Sequence, residues 1–496
     1  MTSRLERTVL GLSLRFWLLI LAMALVRFGL MFGTGPIHDE AYYWSWSQRL
    51  DFGYYDQPFL TGWLLWPFVT LLGDHAWVLR LVATSLTLLT TLFLALILNR
   101  LSTPSRRVAN EPGLMLLVAT SPLLWGLGLL YVHDTVMMAF LFAGSWLGVE
   151  ALTRSAGRLA LPWWIGAGAL LGLAFSAKLS AALWIFALGL GLLCHRNAWS
   201  HLRSLGPWIA AALVLLNVAL FLLWNGLNDW VTFSHVTGEH MSVEASSTVL
   251  ERLGRVGLLW LVVLLLTGPA AMILVLRFGH TLLRSPVTLS LALFVLVPLL
   301  AFTGLAWLRE VYLNWIIASC LGLMVLGGLF WPLKTRRWHL IAALPSAVLC
   351  LALLLPILFK EPRFMLANAR DMLGWERSME RLIEYRDSEF PGHSIVGNYY
   401  HLAAQTAFHQ AVVLPSVGTD PRPHQFKLYG DPQGLLNAPL LVLTDSLETG
   451  TARLEADFCH VQPVAPWPVN HRVQPIAVPY LFEVRRPKSL GACSAD

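Results

Sequence analysis

The sequence predicts a polytopic α-helical membrane protein, with about eleven transmembrane helices over residues 1–359 and a small C-terminal α/β domain over 360–496. Three observations carry that prediction. Of 496 residues, 56% are hydrophobic and only 13% charged, and the mean hydropathy is +0.61, more apolar surface than a soluble fold can hide. Runs near 20 apolar residues recur down the chain, each long enough to cross a hydrocarbon core of roughly 30 Å as a helix; within lipid only such helices or closed barrels satisfy the backbone. After Lys360 the composition becomes that of a soluble domain.

Apolar windows place helices near 11–33, 76–99, 111–130, 134–152, 161–177, 179–195, 207–224, 253–277, 287–306, 311–331 and 340–358. The first run exceeds a signal-peptide core and no small-residue cleavage site follows it, so it reads as a retained helix. The stretch Pro58 to Gly73 is apolar but interrupted by Gly62 and Pro67 and is short for a span, which suits an interfacial segment. Two external loops are long, about 34–75 and 225–250. The first is dense in Tyr and Trp, the composition of an aromatic belt at headgroup level or of a surface on which a sugar ring or prenyl chain stacks. Beyond 360, charged helical text around Asp371 to Glu384 precedes short apolar runs at Ser394 to Val396 and Leu440 to Leu443, separated by Pro and Gly, as in a small α/β domain.

The net charge of +6 is a matter of topology. Arg4, Arg7, Arg100, Arg106, Arg107, Arg154, Arg158, Arg196, Arg203, Arg277, Arg284, Lys334, Arg336 and Arg337 fall in alternate loops, against Arg49, Lys178, Arg252, Arg255 and Arg309 in the opposite short ones. Positive residues concentrate inside, so the N-terminus is expected in the cytoplasm and the C-terminal domain outside, and no nucleic-acid partner is called for. Cys194, Cys320 and Cys350 lie in or beside apolar runs and read as small hydrophobes. Cys459 and Cys493 lie in the C-terminal domain, where an oxidising compartment would allow a disulfide.

His38, Asp39 and Glu40 are three consecutive ionisable residues immediately after the first apolar run. Carboxylates at a membrane boundary are costly unless solvated or paired, which marks functional sites; a helix cap with Asp39 opening the segment Ala41 to Leu50 accounts for them equally well. Asp134, after His133, recurs on the same face, where a cap is again the plainer reading. Together with Asp56 and Asp229 these acids could form a cluster. Cations recur there too: Lys178, His235, and Arg309 beside Glu310. For Lys178 the alternative is snorkelling to the interface; for Arg309, pairing with Glu310 or lipid headgroups. His235 and His240 could ligate a metal, although loop histidines more often only hydrogen-bond. Acids that activate a hydroxyl and cations that hold a phosphate would suit transfer from a phosphate-linked donor.

The segment His38-Asp39-Glu40-Ala41-Tyr42-Tyr43-Trp44-Ser45-Trp46-Ser47, followed by Gly53-Tyr54-Tyr55-Asp56-Gln57-Pro58, resembles the first external loop of the polytopic GT-C glycosyltransferases. More narrowly it resembles the bacterial branch related to dolichyl-phosphate-mannose protein mannosyltransferases and to lipid A aminoarabinose transferases. Asp134-Thr135 resembles the second acidic motif, Gly172 to Lys178 the glycine-to-lysine turn, Trp224-Asn225 through Val231 the asparagine-tryptophan loop, and Asn314-Trp315 a later motif. His424-Gln425-Phe426 resembles a motif of the family's C-terminal domain. One departure stands out: Asp56 is followed by Gln57, Pro58 and Phe59, where relatives carry His-Pro-Pro or Lys-Pro-Pro. The resemblance implies a transferase of the inner membrane that takes a hexosyl or pentosyl group from a polyprenyl-phosphate-linked donor, inverting the anomeric centre on the periplasmic face. The acceptor would be a hydroxyl or phosphate on a lipid, a glycan such as lipopolysaccharide, or a protein. It implies Asp39 as general base, Glu40 and Asp134 as groups that orient the acceptor, and Lys178 and Arg309 on the donor phosphate. Tyr42, Tyr55, Asp56, His133, Asn225 and His235 would contact substrate, and Asp39 and Asp134 are the candidates for a divalent metal ion. The competing classes are a transporter or flippase of a lipid-linked glycan, for which paired broken helices and midplane charges are expected, and a membrane scaffold without catalysis.

Overall fold

The computed structural model describes residues 10–103, 107–240, 248–331, 336–418, 424–430, 434, 438–472 and 474–488. The chain divides into two compact units, one of residues 1–29, 57–60 and 81–354, the other of 30–56, 61–80 and 355–496. Most of the first long loop, all but residues 57–60, is therefore grouped with the C-terminal residues.

Among the described residues five helices are long and apolar enough to cross a membrane: Leu14–Met31, Ala76–Leu101, His133–Leu152, Leu205–Leu227 and Pro286–Leu308. The number is up to eight if each of three bent pairs is one span, and four shorter apolar helices accompany them. The eleven windows expected from hydropathy correspond to these five, the three pairs and three of the four shorter helices. The chain is a multi-pass membrane protein. Three expected straight segments are broken. Asn110–Ala119 and Pro122–Leu129 meet at 56°, Ala181–Cys194 and Arg196–Leu202 at 95°, Val249–Thr267 and Pro269–Arg284 at 100°. The last break has a local cause, since Gly268 adopts φ +87 and Pro269, lacking an N–H, cannot continue the preceding hydrogen-bond ladder. The fourth short helix, Leu60–Leu72, runs through Pro67 without stopping, so the stretch read as interrupted is continuous. Gly62 is required there: a Cβ would stand 2.9 Å from Trp46 Cβ and 3.0 Å from its carbonyl carbon.

In the first unit the helix Leu161–Ala177 packs on Leu205–Leu227 through small residues four apart. A Cβ on Gly168 would lie 2.4 Å from Ala210 Cα, and one on Gly172 3.1 Å from Leu213 O; one turn further, Ser176 Oγ donates to Asn217 Oδ1 at 2.8 Å. Close backbone approach of this kind is how apolar helices associate where lipid supplies no hydrophobic drive. It fixes the end of the helix, where Lys178 follows.

The second unit holds a four-stranded sheet. Strands β1 (Ser394–Gly397), β2 (Leu440–Thr444), β3 (Phe458–Pro466) and β6 (Tyr480–Pro487) take the order β1-β2-β6-β3. β1 and β2 run parallel, with Ser394 opposite Leu440, and the remaining pairings are antiparallel. A separate hairpin pairs β4 (Val469–His471) with β5 (Gln474–Ala477). Alternation sorts the side chains into two cores. Ile395, Leu441, Leu443 and Leu481 pack with Trp375, Met379 and Leu382, while Val396, Leu440, Val442, Phe482 and Val484 pack with Leu454 and Phe458. Both expected apolar runs are thus strands with side chains buried on both faces, β2 inside the sheet and β1 at its edge. Cys459 is disulfide-bonded; Cys493 lies outside the described residues.

Candidate active site

In the second unit the acidic motif opens the helix His38–Gln48, whose residues from Ala41 to Ser47 are all buried. Glu40 is fully buried against Arg80. Arg80 Nε donates to Glu40 Oε1 at 2.8 Å and Nη2 to Oε2 at 2.6 Å, and Oε2 also accepts the Ile37 N–H at 3.1 Å. In this bidentate, charge-assisted pair both Glu40 oxygens are engaged at the helix start, an arrangement that positions the helix. Glu40→Gln keeps the shape but leaves Arg80 with a weakened partner, and is expected to cost about 2 kcal/mol. A lowered thermal midpoint in detergent would show this; an unchanged one would mean the pair does not hold the helix.

Asp39, on the next position round, keeps 37% of its side chain exposed, with Oδ1 3.7 Å from His38 Nε2. His38 turns its other ring nitrogen to Asp371, Nδ1 to Oδ2 at 2.5 Å.

The aromatic residues of the helix His38–Gln48 and of Tyr54-Tyr55 are interior, which does not fit a headgroup belt or a stacking surface there, whereas Phe52, Trp63, Trp66 and Phe68 further along the loop are exposed. Trp44, Trp46 and Tyr54 are fully buried, and Trp46 stacks on Tyr54 with centroids 4.3 Å apart. Tyr42 donates to Asp56 Oδ2 and accepts the Gln425 N–H at 2.8 Å, and Gln425 Oε1 accepts the Tyr55 N–H at 2.8 Å. Burial, then the Asp56 carboxylate, push the Tyr42 phenol well above its ordinary value, so it stays a donor. Tyr42 and Asp56 through their side chains, and Tyr55 through its backbone N–H, therefore tie the loop to the segment containing Gln425.

In the first unit the helix His133–Leu152 starts at Val132, whose side chain makes no cap. Asp134 lies within its first turn, fully buried, and besides the adjacent His133 its partners come from elsewhere in the sequence. Lys178 Nζ donates to Oδ1 at 2.6 Å, Asn314 Nδ2 to Oδ2 at 3.0 Å, and His133 Nε2 stands 3.2 Å from Oδ2. Lys178 is 4% exposed, so it does not snorkel. Beside it, Leu179 N–H donates to Gln57 Oε1 at 3.0 Å, which places the residue that departs from the family's cationic pattern next to a lysine.

Asn225 is buried at the end of the helix Leu205–Leu227. Its side chain is spent on the turn after Leu205–Leu227, with Oδ1 accepting Thr232 N–H at 3.2 Å and Nδ2 donating to Phe221 O at 3.2 Å. The turn itself carries Asp229 and Trp230 at φ +54 and +56. His235 is buried in the helix Val231–His235, and the side chains of Glu239 and His240 lie outside the described residues. Arg309 ends the helix Pro286–Leu308, its Nε donating to the Glu310 carbonyl at 3.2 Å. Among the described residues no group of three or more His, Cys, Asp or Glu is placed to hold a metal ion, and Asp134 is already compensated by Lys178. The candidate ligands thus do not fit a divalent ion as they stand. Sequence reasoning missed Arg80 and gave Asp371 no partner, and it assigned Asn314 and Gln425 no role although their motifs were visible.

Residues 56–224 match the family model described as dolichyl-phosphate-mannose-protein mannosyltransferase. Over 203 residues the chain is 30% identical to the lipid A galacturonosyltransferase RgtD of Rhizobium johnstonii, a match spanning 40% of this chain and 40% of that protein. Crystal structures of ArnT from Cupriavidus metallidurans, in the apo state and bound to undecaprenyl phosphate, share the fold with TM-scores of 0.63 and 0.65. Each is covered to 98% by 94% of this chain, at 15% and 16% identity. The chain is a polytopic membrane protein with the fold of the ArnT structures, and its residues 56–224 are similar to the protein mannosyltransferases.

Proposed function

We propose that the chain transfers a sugar from a polyprenyl-phosphate-linked donor to an acceptor hydroxyl or phosphate on a lipid, glycan or protein, at the periplasmic face of the inner membrane. The observation that carries this reading is the buried Asp134–Lys178 pair with Asn314, a cation held ready in an apolar unit. The ArnT fold, one structure of which holds undecaprenyl phosphate, and the lipid A transferase relative support the donor class. The topology proposed with it has eleven spans within residues 1–359, a cytoplasmic N-terminus and residues 360–496 outside.

Asp39 is the general base. It draws the proton from the acceptor hydroxyl while that oxygen attacks C1 on the face opposite the phosphate, inverting the centre. A carboxylate is a weak base at neutral pH, but it suffices when the proton moves late, as the attacking oxygen gains positive character. Lys178 takes up the charge on the departing phosphate, assisted by Arg309, and Asn314 and His133 hold Asp134 so that the lysine stays oriented.

The test is transfer of label from radiolabelled polyprenyl-phosphate sugars in membranes carrying the wild-type chain. Label on a new acceptor supports the transferase and identifies the acceptor by its mobility. Donor crossing the bilayer without transfer would replace this reading with a flippase.

A further inference from the structure

We propose that His38 and Asp371 form a proton relay behind Asp39, acting as positioning residues for the transfer; the inference rests on Asp39 being the base. His38 is buried, its side chain 9% exposed, with Nδ1 2.5 Å from Asp371 Oδ2. Edge contacts with the rings of Tyr400 and His401, centroids at 5.5 and 6.0 Å, hold the imidazole in plane. An Nδ1–H donated to a carboxylate sets the tautomer and leaves the Nε2 lone pair as acceptor. That nitrogen lies 3.7 Å from Asp39 Oδ1, just beyond hydrogen-bond reach, and a side-chain movement of less than an ångström closes the gap.

The balance of the step gives the relay its task. As the acceptor oxygen bonds to C1, the C1–O bond to the phosphate breaks and its electron pair leaves on the phosphate. The acceptor proton passes to Asp39, which must lose it before the next turnover. His38 Nε2 receives it, Asp371 compensates the imidazolium, and the imidazolium then releases the proton to bulk water, which returns His38 to its neutral form for the next turnover. This explains why a residue 333 positions away is brought to the acidic motif, whereas a helix cap would need no such partner.

The experiment compares kcat and donor KM of wild type, His38→Ala, Asp371→Asn and Asp39→Asn at matched membrane abundance, with and without added imidazole. Expected are a loss in kcat of about 10- to 100-fold for His38→Ala and about tenfold for Asp371→Asn, with donor KM unchanged and His38→Ala partly restored by imidazole. An inactive Asp39→Asn beside wild-type kcat in His38→Ala and Asp371→Asn overturns the relay and leaves the base assignment standing. A kcat loss in His38→Ala that imidazole does not touch also overturns it, since a packing defect behaves in that way. Should Asp39→Asn itself retain transfer, the base assignment fails and the relay with it.

Discussion

Asp39→Asn is expected to lower transfer from the lipid-linked donor by roughly 10²- to 10⁴-fold, the usual contribution of a positioned general base, while the protein inserts and folds as before. The second half of that expectation comes from where the side chain sits. Asp39 is more than a third exposed and its nearest ionic neighbour is His38 at 3.7 Å, so an amide in its place leaves no buried charge stranded. Glu40, one position on, is fully buried against Arg80, and its loss acts on stability. Adjacent carboxylates thus separate into one whose removal is read in kcat and one whose removal is read in unfolding. Transfer rates normalised to folded protein, measured alongside thermal midpoints, distinguish them. Wild-type turnover in Asp39→Asn would remove the assigned base, and a collapsed midpoint would move Asp39 into the structural class with Glu40.

That separation was not visible in the sequence, and the reason is physical. Long apolar runs announce membrane helices because each must satisfy its backbone within one continuous segment, and all eleven windows are helical. Hydropathy averages over a window, so it passes smoothly through Gly268-Pro269 and through Ser121-Pro122, where the chain turns. Those breaks were legible as turn chemistry but not as polarity. The aromatic loop misled for a related reason. The helix His38–Gln48 is buried almost all round, so it shows no amphipathic period to distinguish a core helix from a membrane-surface one. Side-chain partners were the least legible. Glu40 finds Arg80 40 residues on, Asp134 finds Asn314 180 residues on, and His38 finds Asp371 333 residues on. Charge type and motif order drew attention to these residues, whereas only the tertiary structure shows which of them are compensated.

Lys178→Met is expected to cost about 3–5 kcal/mol of stability, because it leaves the fully buried Asp134 carboxylate without its cation. Two neighbours soften the loss without replacing it. Asn314 supplies one neutral hydrogen bond at 3.0 Å, and His133 stands at 3.2 Å, able to compensate the charge only when protonated. The paired variant Lys178→Met/Asp134→Asn should recover most of the stability, since it removes both charges and keeps a hydrogen-bonding amide beside Asn314. Its transfer activity should nevertheless remain low, with donor KM raised, because the proposed phosphate-binding cation is gone. The double-mutant cycle on stability, read together with donor KM, separates the two roles of the lysine. If the double variant recovers both stability and wild-type donor KM, Lys178 serves only to neutralise Asp134, and the phosphate must be held by other cations, Arg309 first among them. If single and double variants are equally unstable, the 2.6 Å contact contributes little, and the packing of Gly168 and Gly172 against Leu205–Leu227 is what holds this end of the helix in place.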